Sequence, residues 1–155
     1  MTSIRVSLVD VYVIRGSGGS LQFLVLRRAA EGRCPGSWET VHGHIEAGES
    51  PADAAARELE EETGLVPLHL YNLSRVESFY QHRTDEVALV PVFAAFVADE
   101  AQVHLGAEHD RFEWLAVRDA GSRFAWPRER RALEDIVTLL SPGHAGALDD
   151  VLRVC

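Results

Sequence analysis

The sequence predicts a single α/β (α+β) domain built as a mixed sheet with helices packed on its faces. Three observations predict it. The chain has 155 residues, enough for one domain and short of two ordinary ones. Its 46% hydrophobic and 25% charged residues are the composition of a globular protein. Stretches rich in β-branched residues precede, flank and follow one segment of helical character, a pattern that asks for a mixed sheet with helices on its faces.

Residues 4–14 read as a strand, and residues 21–28 as a second. Gly16-Ser17-Gly18-Gly19-Ser20 joins them as a hairpin whose loop is longer than the tightest types. Residues 38–45 are short, extended and irregular, carrying Gly43 and two histidines. A helix begins at Ser50, which caps it, with Pro51 at the first helical position and Asp53 in the first turn. It runs to about Thr63 and stops at Gly64. Residues 68–80 and 86–97 read as strands, and Pro91 inside the second points to an edge position or a bulge. Residues 99–110 form a polar loop and residues 112–115 a short strand. Residues 128–140 form a helix with Ala132, Leu133, Ile136, Val137 and Leu140 along one side. Residues 1–140 are thus read as the domain and 141–155 as a C-terminal tail, ordered in part at most.

The charge balance excludes several chemistries. Net charge is −9, and all fifteen cationic side chains are arginine. Without lysine there is no phosphate-loop lysine, no Schiff base and no lysine general base. The acidic balance disfavours nonspecific nucleic-acid binding, which basic patches drive. Cys34 and Cys155 make neither a disulfide framework nor a zinc site and suit a reducing compartment. No targeting segment is visible, and no apolar run is long enough to span a bilayer. A cytoplasmic protein with no membrane or nucleic-acid partner is expected, and a homodimer stays open.

The informative segment is Arg57-Glu58-Leu59-Glu60-Glu61-Glu62. At about 100° per residue, Glu58, Glu61 and Glu62 share an arc of about 100°. Ala52, Ala55, Ala56 and Leu59 form a small-residue face beside them, and Glu60 points to solvent. Like charges at these spacings cost roughly 0.2–0.5 kcal/mol per exposed pair. Arg57, four residues before Glu61, relieves one of them; the rest asks for a cation. Clustered carboxylates suit hard ions, Mg²⁺ above all, which binds through few carboxylates, waters and substrate phosphates. The alternative at this point is a solvated acidic face with no metal.

Reading outward, the chain runs Gly43, five residues, Glu49, seven residues, then Arg57-Glu58-Leu59-Glu60-Glu61-Glu62-Thr63-Gly64-Leu65. This resembles the Nudix box, and every fixed position of that pattern is matched. The resemblance extends over most of residues 4–140. It implies an α/β/α sandwich and a hydrolase that cleaves a nucleoside diphosphate linked to another group, using Mg²⁺ or Mn²⁺ and an activated water. By resemblance Glu58, Glu61 and Glu62 are metal ligands, with the carbonyl of Gly43 a further one. Arg57 orients the cluster and pairs with Glu49. Many members add a glutamate from a later loop; Glu108, six residues before Trp114, is the best match here, ahead of Glu77 and Glu86. Either Glu108 or Glu61 takes the proton from the metal-activated water.

The chain departs from the family where many members carry Pro-Gly-Gly: here stands Val41-His42-Gly43-His44. The run from Trp38 to Glu46 is similar to dihydroneopterin triphosphate pyrophosphatases, and Gly43-His44-Ile45-Glu46 alone to diadenosine tetraphosphate (Ap4A) hydrolases. The small-molecule substrate implied is a nucleotide-like diphosphate, a nucleoside or dihydroneopterin triphosphate ahead of a dinucleoside polyphosphate. Strand alternation puts His42 and His44 on one side, in reach of phosphates. Of Arg27 and Arg28, alternation leaves one to clamp a phosphate. Trp38 and Tyr80 are candidates to stack on a base or pterin, with core packing as the alternative. His69, His82, His104, His109 and His144 show no ligand spacing and read as ordinary, and Cys34 as a bystander. Two other functions compete: a non-catalytic nucleotide-binding module, against which the complete set of box glutamates argues, and isoprenoid diphosphate isomerisation, which needs a suitably placed cysteine.

Overall fold

The computed structural model describes residues 1–155. Eight strands form one mixed sheet, with helices on both faces. The first predicted strand is two: β1 (Ser3–Val6) is exposed throughout, and β2 (Leu8–Arg15) is buried along nearly its whole length. β3 (Gln22–Arg28) pairs antiparallel with β2 only at Ile14–Phe23 and Arg15–Gln22. Beyond that point the two strands diverge. β4 (Trp38–Glu39) fills the gap along β3, and β5 (Val41–His44) fills it along β2. The irregular stretch around Gly43 is therefore one chain crossing a fork in the sheet, and the fork is where the functional side chains gather.

α1 (Pro51–Thr63) starts and stops as the sequence predicts. Ser50 Oγ accepts from the Asp53 amide at 3.1 Å, and Gly64 closes the helix at φ 71°, a left-handed conformation that favours glycine. β6 (His69–Gln81) and β7 (Glu86–Phe96) form a long antiparallel hairpin. β7 is an inner strand, which corrects the edge alternative for Pro91. It pairs parallel with β1 through Leu89 and with β2 from Val92. Pro91 falls at the change of neighbour, beside a register shift in β6 between Asn72 and Val76. A residue without an N–H is tolerated at such a discontinuity.

β8 (His109–Ala116) is longer than expected and pairs with the outer edge of β3. α2 (Val117–Arg123), too short to leave a periodic signature, follows it directly. α3 (Pro127–Leu140) buries Ala132, Leu133, Ile136 and Leu140 against Tyr12, Ile14, Phe23 and Val25. Val137, expected on that side, is exposed. α1 covers the opposite face, where Ala54, Ala55 and Leu59 pack on Val9, Val11, Leu24 and Leu26. Residues 141–155 are ordered: α4 (Asp149–Leu152) buries Leu152, and Arg153 bridges to Tyr71, so the segment straps the outer edge of β6. No helix is long and apolar enough to cross a membrane.

Candidate active site

α1 presents its acids in a graded way. The buried residues of the helix are Ala54, Ala55, Leu59, Glu62 and Thr63. Glu62 thus lies inside the packed face, whereas Ala52 and Ala56 sit at its margins. Glu58 rests on β5: a Cβ at Gly43 would stand 2.0 Å from the Glu58 carboxyl carbon, so only glycine leaves room for that carboxylate. Glu61 is more exposed.

Arg57 ties these acids to the loop that precedes them. Its Nε and one terminal nitrogen donate to the two oxygens of Glu49 at 2.7 and 2.9 Å. The second of these also reaches the carbonyl of His44 at 2.7 Å. The other terminal nitrogen donates to Glu58 and Glu61 at 3.0 and 3.1 Å. The Arg57 hydrogen bond and the Glu46 amide hold the Glu49 carboxyl down at about 2. Burial raises Glu58 in spite of Arg57. Burial, then the charges of Glu108, Glu39 and Glu58, push Glu62 up to about 10.

The opposite wall comes from the ends of β3, β4 and β8. Arg28 is buried, and one terminal nitrogen donates to Glu39 at 3.3 Å and Glu108 at 3.5 Å. Glu39 also meets His109 Nε2 at 2.9 Å. Burial works against the Glu39 carboxylate, but His109 and Arg28 outweigh it and keep the group below its usual range. Side-chain ligand atoms of Glu62, Glu108 and His109 all lie within 4.8 Å of one another.

These residues fit a divalent cation. Oε2 of Glu62 is buried without a hydrogen-bond partner, and like charges crowd it from three sides. An interior rarely leaves such an atom alone unless a further group completes it. Oxygen-rich donor sets of this kind suit hard divalent ions.

Beside the cluster lies a cavity of ≈ 490 Å³. Glu39 and Arg28, which belong to the cluster, line it together with Phe79, Trp126 and Arg128. Arg128 is held by the fully buried Asp10, to which its Nε donates at 2.8 Å. Asp10 also meets His42 Nδ1 at 2.6 Å. Burial opposes the Asp10 carboxylate, yet His42 and Arg128 outweigh that and lower its pKa. The Arg128 guanidinium stands 5.5 Å from the Trp126 ring and 6.0 Å from the Phe79 ring. The cavity therefore offers aromatic faces and spare N–H donors next to an acidic cluster.

Glu129 braces this wall. Fully buried, it accepts from the Thr40 amide at 2.7 Å and the Trp126 amide at 3.1 Å, pinning the crossing chain to the start of α3. Burial is the leading cause that pushes its pKa from 4.5 up to about 8. A raised carboxyl contributes stability that is full below about 4.5 and is lost as pH rises through about 8. Glu129→Gln, which keeps one acceptor, is expected to cost about 1 kcal/mol at acidic pH and to flatten this alkaline loss. Denaturant unfolding of the metal-free protein across that pH range checks it.

The fork brings together Gly43, Glu58, Glu61, Glu62, Glu108, Arg57, Arg28 and His42. Arg27 points elsewhere and pairs with Asp110 at 2.8 Å, as alternation on a strand requires. The His44 side chain is exposed and makes no hydrogen bond; only its carbonyl takes part, through Arg57. Trp38 does not line the cavity. It packs on the α3 side of the core under the Arg123 guanidinium, 4.8 Å away. Tyr80 lies at the cavity rim with its hydroxyl on Asp85. Glu77 and Glu86 are ion-paired, to Arg75 and Arg131 and to Arg5. Sequence reasoning missed Asp10, Glu39, Phe79, Trp126 and Arg128, and took His109 as ordinary. The one available signal was polarity: Asp10 and Glu39 are charged residues inside predicted strands.

The site thus sets an acidic helix against a glycine of a forked mixed sheet, with a donor-lined cavity alongside. The NUDIX domain family matches residues 5–136, and the chain belongs to the Nudix hydrolase family. It is 40% identical over 127 residues to an octanoyltransferase of Myxococcus xanthus, covering 81% of this chain and 35% of that protein. It is 31% identical over 144 residues to an isopentenyl-diphosphate Delta-isomerase of Corynebacterium diphtheriae, covering 83% and 78%. The chain spans about a third of the Myxococcus relative and 40% of the Mycobacterium tuberculosis protein named as mutator protein MutT4. Among solved structures, a C. elegans Ap4A hydrolase superposes with a TM-score of 0.71 at 22% identity, covering 86% of this chain and 96% of that one. The E. coli dihydroneopterin triphosphate pyrophosphohydrolase gives 0.66 at 23%, covering 89% and 99%. These two likenesses are likenesses of fold.

Proposed function

We propose that residues 1–140 form a Mg²⁺-dependent pyrophosphohydrolase unit, with Mn²⁺ as an alternative ion, acting on a nucleoside triphosphate or dihydroneopterin triphosphate. The observation that carries this reading is the buried, unpartnered Glu62 carboxyl oxygen, set among Glu108, Glu39 and Glu58. A divalent cation in such a cluster supplies acidity to water and positive charge to phosphoryl oxygens. The remaining work belongs to the chain. Gly43 and Arg57 set the positions of the acids, and Glu108 or Glu61 accepts the proton of the attacking water. Arg28, at the border of cluster and cavity, faces the phosphates. The ring system enters the cavity, where Trp126 and Phe79 offer stacking surfaces and His42 and Arg128 offer donors. Exposed, unpaired Cys34 and Cys155 suit a cytoplasmic setting.

The relative from E. coli named as 8-oxo-dGTP diphosphatase, 33% identical over 75 residues, supports a triphosphate substrate. A cavity bordered by Arg28, Arg33, Arg128 and Arg131 suits an isoprenoid tail poorly, and its one cysteine, Cys34, is exposed. The test is hydrolysis with Mg²⁺, following pyrophosphate and phosphate release separately. The panel holds dihydroneopterin triphosphate, the deoxynucleoside triphosphates, diadenosine polyphosphates, ADP-ribose and isopentenyl diphosphate. Pyrophosphate release from a triphosphate is the expected result. Preference for a diadenosine polyphosphate would move the chain to the dinucleotide class, and silence with metal bound would favour a binding module.

A further inference from the structure

Two buried side-chain polar atoms lack a hydrogen-bond partner, and they belong to the same cluster: Oε2 of Glu62 and Nδ1 of His109. His109 is 4% exposed and Glu62 5%. Nearly all buried polar groups in native proteins are paired, so two orphans at one point mark a missing common partner.

The orientation of His109 is built, not incidental. On β3, Leu24 and Leu26 face α1, and opposite them on β8 stand Trp114 and Phe112. Regular alternation would place Asp110 across from Arg28. The register shifts there, and Arg28 pairs with His109 instead. A bulge of this kind re-aims one side chain, and here it turns an imidazole towards the acidic cluster.

The tautomer follows from the second ring nitrogen. Nε2 lies 2.9 Å from Glu39 Oε1, an oxygen also bound by Arg28. A carboxylate accepts but does not donate, so Nε2 carries a proton towards Glu39, and Nδ1 is the ring nitrogen left without a partner. No protein group meets Nδ1 or Oε2 of Glu62, and a cation held by the cluster would complete both. Metal-bound histidines characteristically donate their other N–H to a carboxylate in this way.

We propose that His109 is a nitrogen ligand, through Nδ1, of the divalent ion held by Glu62 and Glu108, with Glu39 as the carboxylate that fixes its tautomer. The proposal rests on the metal-dependent reading above and refines it. An imidazole in the ligand set favours transition ions such as Mn²⁺ or Co²⁺ over Mg²⁺, whose ligands are oxygens.

The test reads the metal and not turnover. Full-length protein stripped of metal is titrated with Mn²⁺, and bound Mn²⁺ is examined by electron spin-echo envelope modulation. Imidazole nitrogen modulation is expected, changing when the histidines carry ¹⁵N. His109→Gln should abolish it and weaken Mn²⁺ binding about 10–100-fold, with a smaller change for Mg²⁺. His42→Gln, which removes the neighbouring imidazole bonded to Asp10, should leave the modulation in place. If His109→Gln does not fold, the ¹⁵N-labelled wild type and His42→Gln decide between them. Mn²⁺ bound without nitrogen modulation overturns the His109 assignment and leaves the carboxylate site standing. Modulation that survives His109→Gln, or that disappears in His42→Gln, overturns it too. Failure of the wild type to bind Mn²⁺ overturns both this assignment and the metal-dependent reading.

Discussion

Glu62→Gln is expected to raise the stability of the metal-free protein while removing hydrolysis. The side chain is packed in the face of α1 against the sheet, and one of its oxygens has no partner. Burial and three neighbouring carboxylates push its pKa from 4.5 to about 10. At neutral pH the metal-free protein therefore holds Glu62 protonated, and a cation that binds there must displace that proton. The sign follows: a raised carboxyl stabilises fully below about 4.5, and this contribution is lost as pH rises through about 10. Glutamine has nearly the same shape and cannot ionise. It removes the cost of keeping that group protonated above its unfolded value, about 1.4 kcal/mol per pH unit, and flattens the alkaline decline. The same change takes away an anionic ligand, so turnover at saturating Mg²⁺ should fall by at least about 10²-fold, the scale of losing a group that stabilises the transition state. Denaturant curves against pH and a hydrolysis assay on the best substrate of the panel check the two halves. A variant with wild-type turnover would overturn the ligand assignment. Loss of turnover together with lower stability would mean that Glu62 serves the fold instead.

The acidic helix was legible in the sequence because everything that makes it is local. Ser50, Pro51 and Gly64 mark its ends, and three carboxylates within five residues must share a face. Gly43 and Glu49 were legible by resemblance, and the Arg57–Glu49 pair spans only eight residues. The other half of the site depends on distant partners. Asp10 and Arg128 are 118 positions apart, and Glu39 and His109 are 70 apart. Only the fork between β2 and β3 brings them together. His109 was misread because its direction depends on a one-residue bulge in β8, which reverses what simple alternation implies. Trp38 takes the core-packing alternative for a related reason: β4 has two residues, and the Trp38 ring packs on the α3 side of the core. The tail shows the limit of composition as a guide. Ser-Pro-Gly-His-Ala-Gly looks like the start of a loose end, but Leu152 and the Arg153 bridge to Tyr71 depend on an open edge of β6, which no local pattern reveals.

Arg57→Gln is expected to lower turnover about 10–100-fold, the scale for partners that orient metal ligands, without weakening the metal. One guanidinium meets Glu49 in a two-pronged pair and divides its remaining nitrogen between Glu58 and Glu61. Through the His44 carbonyl it also fastens the strand that carries Gly43 to the helix that carries the acids. Glu49 is held at about 2 by this contact, so its stabilising contribution is present above about 4.5 and lost as pH falls through about 2. In the variant that acid limb should move to higher pH. Two opposite effects then act on the cluster. Losing a positive charge increases its attraction for a cation, and losing the clamp frees the carboxylates to move. If turnover depends on placement, Mg²⁺ affinity holds or rises through the lost charge while kcat falls through the lost clamp. If charge dominates, Arg57→Lys should restore turnover, since an ammonium supplies the same charge. We expect little restoration, because a lysine is a point charge that cannot span Glu49, Glu58, Glu61 and a backbone carbonyl at once. Metal titration and kcat measured on both variants separate the two explanations. Full activity in the lysine variant would show that Arg57 neutralises the acids without having to place them.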